Sequence, residues 1–236
     1  MLIIIEGFHC PTTNTFSRMY KKLLLLGDSL TQFGTAPGGW VSRLSCEWVR
    51  HVDITNRGLS GYNTGHVLQS IEQILPLEQW DYAVVFLGAN DAEGTTQHVP
   101  LPAYRHNLQR IIEVLIERGI KAGNILLLSP PPLADEQFRE VFSKTWGIPE
   151  HVPLSRSNSV TSQYSQAAVE VSQSMGCECG DMCKIFNTAP CELDSLFTDG
   201  LHLSEQGNAL VFNKVMAFLL TKLDRSTLPL SDWKSL

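Results

Sequence analysis

Ser29 sits in Gly27-Asp28-Ser29-Leu30, directly after the apolar run Leu23 to Leu26, and Asp199-Gly200-Leu201-His202 lies near the other end of the chain. A serine hydroxyl is a poor nucleophile near neutral pH. It becomes useful when an imidazole removes its proton and a carboxylate fixes that imidazole's tautomer. Asp199 and His202 lie three residues apart on one tight turn, so the carboxylate can reach Nδ1 while Nε2 faces Ser29. Acyl transfer also needs donors aimed at the oxyanion of the tetrahedral intermediate. Gly58 and Asn90 fit that need: glycine lets a backbone N–H approach a substrate without a Cβ in the way, and an asparagine amide donates without titrating. The N–H of Ser29 is the third candidate donor. Chemistry of this kind requires no cofactor.

The elements that would position these residues alternate in type. Lys21 to Leu26 is short, apolar and followed by glycine, which predicts a strand buried on both faces of a parallel sheet. Trp40, Val41, Leu44, Trp48 and Val49 recur at helical spacing on one apolar face. Val52 to Asn56 reads as strand, Thr64 to Leu75 as one helix, Asp81 to Leu87 as strand, and Tyr104 to Leu115 as the next helical face. Asn124 to Leu128 is a strand stopped by Pro130-Pro131-Pro132, since proline cannot donate ladder hydrogen bonds. Val160 to Val171 gives another helix, and a fifth strand falls near Cys177 to Asp181. The pattern predicts an α/β sandwich around a largely parallel sheet. Ligands of such sheets collect outside the carboxyl ends of the strands, where Ser29, Gly58, Asn90 and the Asp199–His202 loop all fall. Ser204 has the look of an N-cap for a final helix through Leu210, Val211, Val215 and Phe218. The stretch Ala134 to Ser157 breaks the rhythm with Phe138, Phe142 and Trp146, either as a flap or as a helical insertion whose aromatics complete the core.

Composition narrows the partners. With 236 residues, 43% hydrophobic, one domain with one substantial core is expected. A formal charge of −6 with scattered basic residues argues against nucleic acid or an anionic membrane surface, so a small molecule is the expected partner. No run approaches the length of a membrane span, Met1 to Glu6 is too short for a secretory h-region, and the terminal Lys234-Ser235-Leu236 matches no targeting tripeptide. The expected location is cytoplasmic, and a homo-oligomer stays open. Cys177, Cys179, Cys183 and Cys191 cluster, yet their spacing suits neither zinc knuckles nor a disulfide framework, so reduced thiols, some of them buried, are expected.

With these residues in place, the sequence resembles the SGNH, or GDSL-type, serine hydrolases, whose four motif blocks match at Ser29, Gly58, Asn90 and His202. Gly38-Gly39-Trp40, Asn56-Arg57-Gly58, Ser60-Gly61-Tyr62-Asn63-Thr64, Gly88-Ala89-Asn90-Asp91, Gln97-His98-Val99-Pro100-Leu101 and Asp199-Gly200-Leu201-His202-Leu203 resemble the isoamyl acetate-hydrolysing esterase subfamily. The likeness runs from about Leu23 to Leu223. It implies a flavodoxin-like three-layer α/β/α sandwich with a five-stranded sheet over residues 21–225, flanked by an N-terminal extension (1–20) and a C-terminal tail (226–236). It also implies metal-independent ester hydrolysis, with Ser29 as nucleophile, His202 as base, Asp199 as its partner, and Ser29, Gly58 and Asn90 as the oxyanion hole. The cysteine-rich segment departs from the subfamily's plain apolar strand.

Other conspicuous residues read as structural. Trp40, Trp48 and Trp80 suit core packing, His98 and His106 suit the surface or a helix, Asp28 suits bonds to nearby backbone, and Asp91 suits orientation of its own loop. The expected reaction is hydrolysis of acetyl or short-chain acyl esters through an acyl-enzyme. Lipid, thioester or carbohydrate acyl esters would suit the same site, and a catalytically silent interaction module is the rival from another class. Nucleotide binding is disfavoured, since neither Gly-x-Gly-x-x-Gly nor a Walker A loop occurs, and the Gly-x-Ser-x-Gly elbow is missing too.

Overall fold

Four consecutive leucines in the first strand decide the layering, because side chains of a strand alternate between its two faces. In the computed structural model, which describes residues 20–75, 78–149, 151–226 and Lys234, β1 (Lys21–Gly27) sends Leu24 and Leu26 to one core and Leu23 and Leu25 to another. All four are fully buried. β2 (Val52–Gly58), β3 (Tyr82–Phe86), β4 (Ile125–Leu128) and β5 (Glu178–Gly180) complete a five-stranded sheet of order β2-β1-β3-β4-β5. Every pairing in it is parallel. The same alternation recurs in β4, where Ile125 and Leu127 join the first core and Leu126 and Leu128 the second.

Helices α3 (Thr64–Gln69), α4 (Ile71–Ile74), α5 (Leu101–Glu117) and α7 (Asn158–Ser174) contribute to the first core. Helices α2 (Trp40–Glu47), α8 (Met182–Asn187) and α9 (Glu205–Leu220) build the second. The result is the expected flavodoxin-like three-layer sandwich. A short α1 (Ser29–Gln32) begins at once after β1, and α6 (Asp135–Trp146) lies between β4 and α7. Trp40 fastens the first helices to the last: its Nε1 donates to Leu30 O (2.9 Å) and its backbone N–H to Asn208 Oδ1 on α9 (3.0 Å). Trp48 Nε1 lies 3.1 Å from Met216 Sδ on the same α9.

The structure departs from the sequence reading in several places. The helix expected over Thr64 to Leu75 is two helices, because Ser70 leaves helical geometry (φ −110°, ψ 13°) and its N–H is shared between His66 O and Val67 O. α2 stops at Glu47, and Arg50 then takes a positive φ of 67° to turn the chain into β2, which leaves Val49 64% exposed and off the apolar face. Trp40, Trp48 and Trp80 are buried as anticipated. The stretch Ala134 to Ser157 contains a regular helix, α6, closed by Gly147 in the left-handed region. Its Phe138 is buried and stacks on a half-buried Phe142, with ring centroids 5.2 Å apart. The side chain of Trp146 lies outside the described residues, as do 1–19 of the N-terminal extension and most of the C-terminal tail.

Cysteine placement differs from expectation too. Of the five described, Cys46 and Cys191 are exposed, Cys177, Cys179 and Cys183 are half-buried, and all are free thiols. Burial pushes the Cys177 thiol up to about 11. Among the described residues no helix is long and apolar enough to cross a membrane.

Candidate active site

The sheet order places β1 between β2 and β3, so the loops leaving the carboxyl ends of these three strands gather at the switch point of the fold. Asp28 opens α1: its Oδ1 accepts the Leu30 N–H at 2.9 Å. Ser29 is thereby the first residue of a helix and is only 6% exposed. β2 delivers Gly58 against the back of this turn, where an added Cβ would stand 2.2 Å from Gln32 N. No other residue type fits there.

The last loop brings the partners. His202 Nε2 lies 3.2 Å from Ser29 Oγ, and His202 Nδ1 lies 2.7 Å from Asp199 Oδ2. Asp199 Oδ1 accepts the backbone N–H groups of Leu201 (2.9 Å) and His202 (2.7 Å), so one carboxylate shapes the turn and orients the ring. Burial works to raise the Asp199 carboxyl, but the bond from the His202 ring and the two backbone bonds outweigh it and hold the group at about 2. Gly200 adopts φ +86°, and a Cβ there would stand 2.5 Å from Phe138 N. The turn is thus docked on α6, with Ala134 N–H donating to Gly200 O at 3.0 Å. Beyond it, Ser204 caps α9 through the Gly207 N–H (3.3 Å), as its sequence position suggested.

Both other candidate donors are already engaged in part. The Gly58 N–H donates to Asn56 Oδ1 at 2.7 Å, so an oxyanion would have to share that hydrogen. Asn90, 5% exposed, gives one amide hydrogen to Tyr62 O at 2.9 Å and keeps a second. Its Oδ1 accepts from Arg156 Nη2 at 3.0 Å.

Two carboxylates sit beneath the site. Burial pushes Asp28 up to about 7, against the Leu30 bond and helped by the charge of Asp91, and its Oδ2 has no hydrogen-bond partner among the described residues. Asp91 is raised to about 6 by burial, against bonds from Thr64. Asp28 binds local backbone as anticipated. Asp91 does more than orient its own loop: it accepts the N–H (3.0 Å) and the hydroxyl of Thr64, which ties the loop after β3 to the start of α3. His98 is exposed, and His106 lies exposed on α5.

Two spaces of unequal size flank His202. A small one of about 30 Å³ is bounded by Ser29, Leu30, Phe33, Gly34 and Leu203. A larger one of about 310 Å³ is walled by Phe138, Val141 and Phe142 of α6, with Leu201, Asp199 and Arg156. Arg156 and Phe33 escaped the sequence reading: Phe33 lies 5.5 Å from the His202 ring, centroid to centroid, and Arg156 is the residue that touches the Asn90 amide oxygen. Neither stands in a motif with a chemical signature. Phe138 and Phe142, expected in a flap or in an insertion that completes the core, lie on α6 and wall the larger space.

A family model described as "GDSL-like Lipase/Acylhydrolase family" matches residues 25–210. The chain is 32% identical over 224 residues to the human isoamyl acetate-hydrolyzing esterase 1 homolog, covering 92% of this chain and 88% of that protein. It is 35% identical over 211 residues to a GDSL esterase/lipase of Arabidopsis thaliana, covering 84% and 85%. Among solved structures, a lipase/acylhydrolase from Enterococcus faecalis is similar with a TM-score of 0.72 at 22% identity, covering 88% of this chain and 99% of that one. An acetyl xylan esterase gives a TM-score of 0.65 at 20% identity over 83% and 98%.

Proposed function

As the chain belongs to the GDSL-like lipase/acylhydrolase family and is an esterase, we propose that it hydrolyses small carboxylic esters through Ser29, His202 and Asp199. The observation that carries this reading is the unbroken relay from Ser29 Oγ to His202 Nε2 (3.2 Å) and from His202 Nδ1 to Asp199 Oδ2 (2.7 Å). Ser29 attacks the ester carbonyl while His202 takes its proton, then returns that proton to the departing alcohol. Water, deprotonated by His202, attacks the acyl-enzyme and releases the acid and Ser29. The Ser29 N–H, the free Asn90 amide hydrogen and the Gly58 N–H stabilise the oxyanion in both steps.

The substrate is a short acyl group on a larger, apolar alcohol. The small space of about 30 Å³ beside Ser29 favours a short acyl group such as acetyl. The alcohol leaves from the side where His202 can protonate it, and the roughly 310 Å³ cavity there is lined largely by Phe138, Val141, Phe142 and Leu201. That lining favours an alkyl alcohol over a sugar, and the name of the human relative points the same way.

The test is labelling with a fluorophosphonate probe followed by peptide mapping, together with turnover of p-nitrophenyl acetate by Ser29→Ala. Labelling at Ser29 and near-complete loss of turnover are expected. Unchanged activity in the folded variant would end the proposal.

A further inference from the structure

Asn90 offers a hydrogen to an oxyanion only while its amide is held the right way round, because its two ends are nearly equal in shape and opposite in hydrogen-bonding sense. We infer that Arg156 is a positioning residue which fixes the Asn90 amide and, through it, the oxyanion donor. The inference rests on the serine-esterase reading of this site.

The guanidinium reaches from the segment between α6 and α7 into the loop after β3. Nη2 donates to Asn90 Oδ1 (3.0 Å) and to Gln97 Oε1 (2.8 Å), and Nη1 donates to the Ala89 carbonyl. One planar fork therefore grips both the backbone just before Asn90 and its side-chain oxygen, a geometry that lysine's single ammonium cannot reproduce. An inverted amide would set its NH2 against a cation that only donates. The Tyr62 carbonyl, 2.9 Å from Nδ2, enforces the same orientation from the other end.

The fork is itself held in place. Gln97, which receives Nη2, donates its side-chain amide to Gly61 O (2.7 Å) and its backbone N–H to Glu93 Oε2 (3.1 Å). Gly94 N–H donates to Ser155 O at 2.6 Å, next to Arg156 in the chain. Burial lowers the Arg156 guanidinium, and the nearby carboxyl groups of Glu93, Asp28 and Asp199 offset part of that cost. A charged donor on the amide oxygen also polarises the amide, so that its remaining N–H is a stronger donor to developing negative charge.

The contribution belongs to the transition state, and two features separate it from a packing role. Arg156→Met should lower kcat for p-nitrophenyl acetate roughly 10- to 100-fold, part of the roughly 10²- to 10³-fold that loss of an oxyanion donor costs, with KM changed less than about threefold. In an Asn90→Ala background the same substitution should cost less than about twofold, since the group it acts through is gone. Arg156→Lys should recover part of kcat, and it serves as the test variant if thermal melting shows Arg156→Met unfolded.

Additive losses in the double-mutant cycle, or a change confined to KM, would overturn the inference in favour of packing or direct substrate contact. Activity surviving in Ser29→Ala would instead remove the esterase mechanism on which it rests. The two failures are read from different variants.

Discussion

Asp199 holds His202 by two points at once, its backbone N–H through Oδ1 and its ring Nδ1 through Oδ2, each at 2.7 Å. The residue that orients the His202 ring therefore also shapes the turn presenting it. Asp199→Asn keeps a carbonyl oxygen for the turn but sets an amide NH2 against Nδ1, which selects the tautomer unable to take a proton from Ser29. The expected loss in kcat is on the order of 10³- to 10⁴-fold with the melting temperature little changed. Steady-state kinetics alongside a thermal melt would measure both, and a loss below tenfold would remove Asp199 from the mechanism.

Gly200 tests whether the turn depends on α6. Alanine there must adopt φ +86° and place its Cβ against Phe138 N and Ala134 O. Gly200→Ala should destabilise the protein by more than about 1 kcal/mol in urea denaturation and should lower kcat as well. Wild-type stability in the variant would show that the contact can relax.

Selectivity should follow the two unequal spaces. Across p-nitrophenyl esters, kcat/KM should fall as the acyl chain lengthens from acetate to octanoate, since the space by Phe33 and Gly34 is the smaller of the two. Val141→Phe should reduce kcat/KM for acetates of branched five-carbon alcohols by about tenfold or more and spare ethyl acetate. A flat acyl profile would favour long-chain lipid substrates.

The buried acids make stability depend on pH with a definite sign. Asp28 and Asp91 bind protons more tightly folded than unfolded, at about 7 and about 6 against a usual 3.8. Their contribution favours the folded state at low pH and is lost as pH rises from about 4 through 7. Asp199, lowered to about 2, has the opposite sign, but it acts only below 3.8 and so outside this window. Urea denaturation should therefore show lower stability at pH 8 than at pH 5.5. Asp28→Asn, which keeps an acceptor for the Leu30 N–H, should shrink that difference, and an unchanged difference would place the titration elsewhere.

Local pattern carried much of the fold. Leu23 to Leu26, the alternation of strands and helices, and the Ser204 cap were legible because burial on two faces and helix entry leave marks within a few residues. The break at Ser70 and the turn at Arg50 were not, since backbone geometry there answers to neighbours in space. Ser29, Gly58, Asn90, Asp199 and His202 stood in short motifs with chemical meaning. Arg156 did not: it comes 66 residues after Asn90 in the chain, and only the folding of the α6–α7 segment over the loop after β3 brings them together.

The fastening of Trp40 to both Leu30 and Asn208 bears on how the protein matures. Ser29 and His202 lie far apart in the sequence, and the turn that carries His202 runs directly into α9, which packs on α2, so a chain lacking α9 is expected to lose ester hydrolysis. In refolding of a variant with Trp80, Trp146 and Trp233 replaced by phenylalanine, the emission of Trp40 and Trp48 should reach its native value no later than hydrolysis returns, so that fluorescence times the docking of α9 on α2.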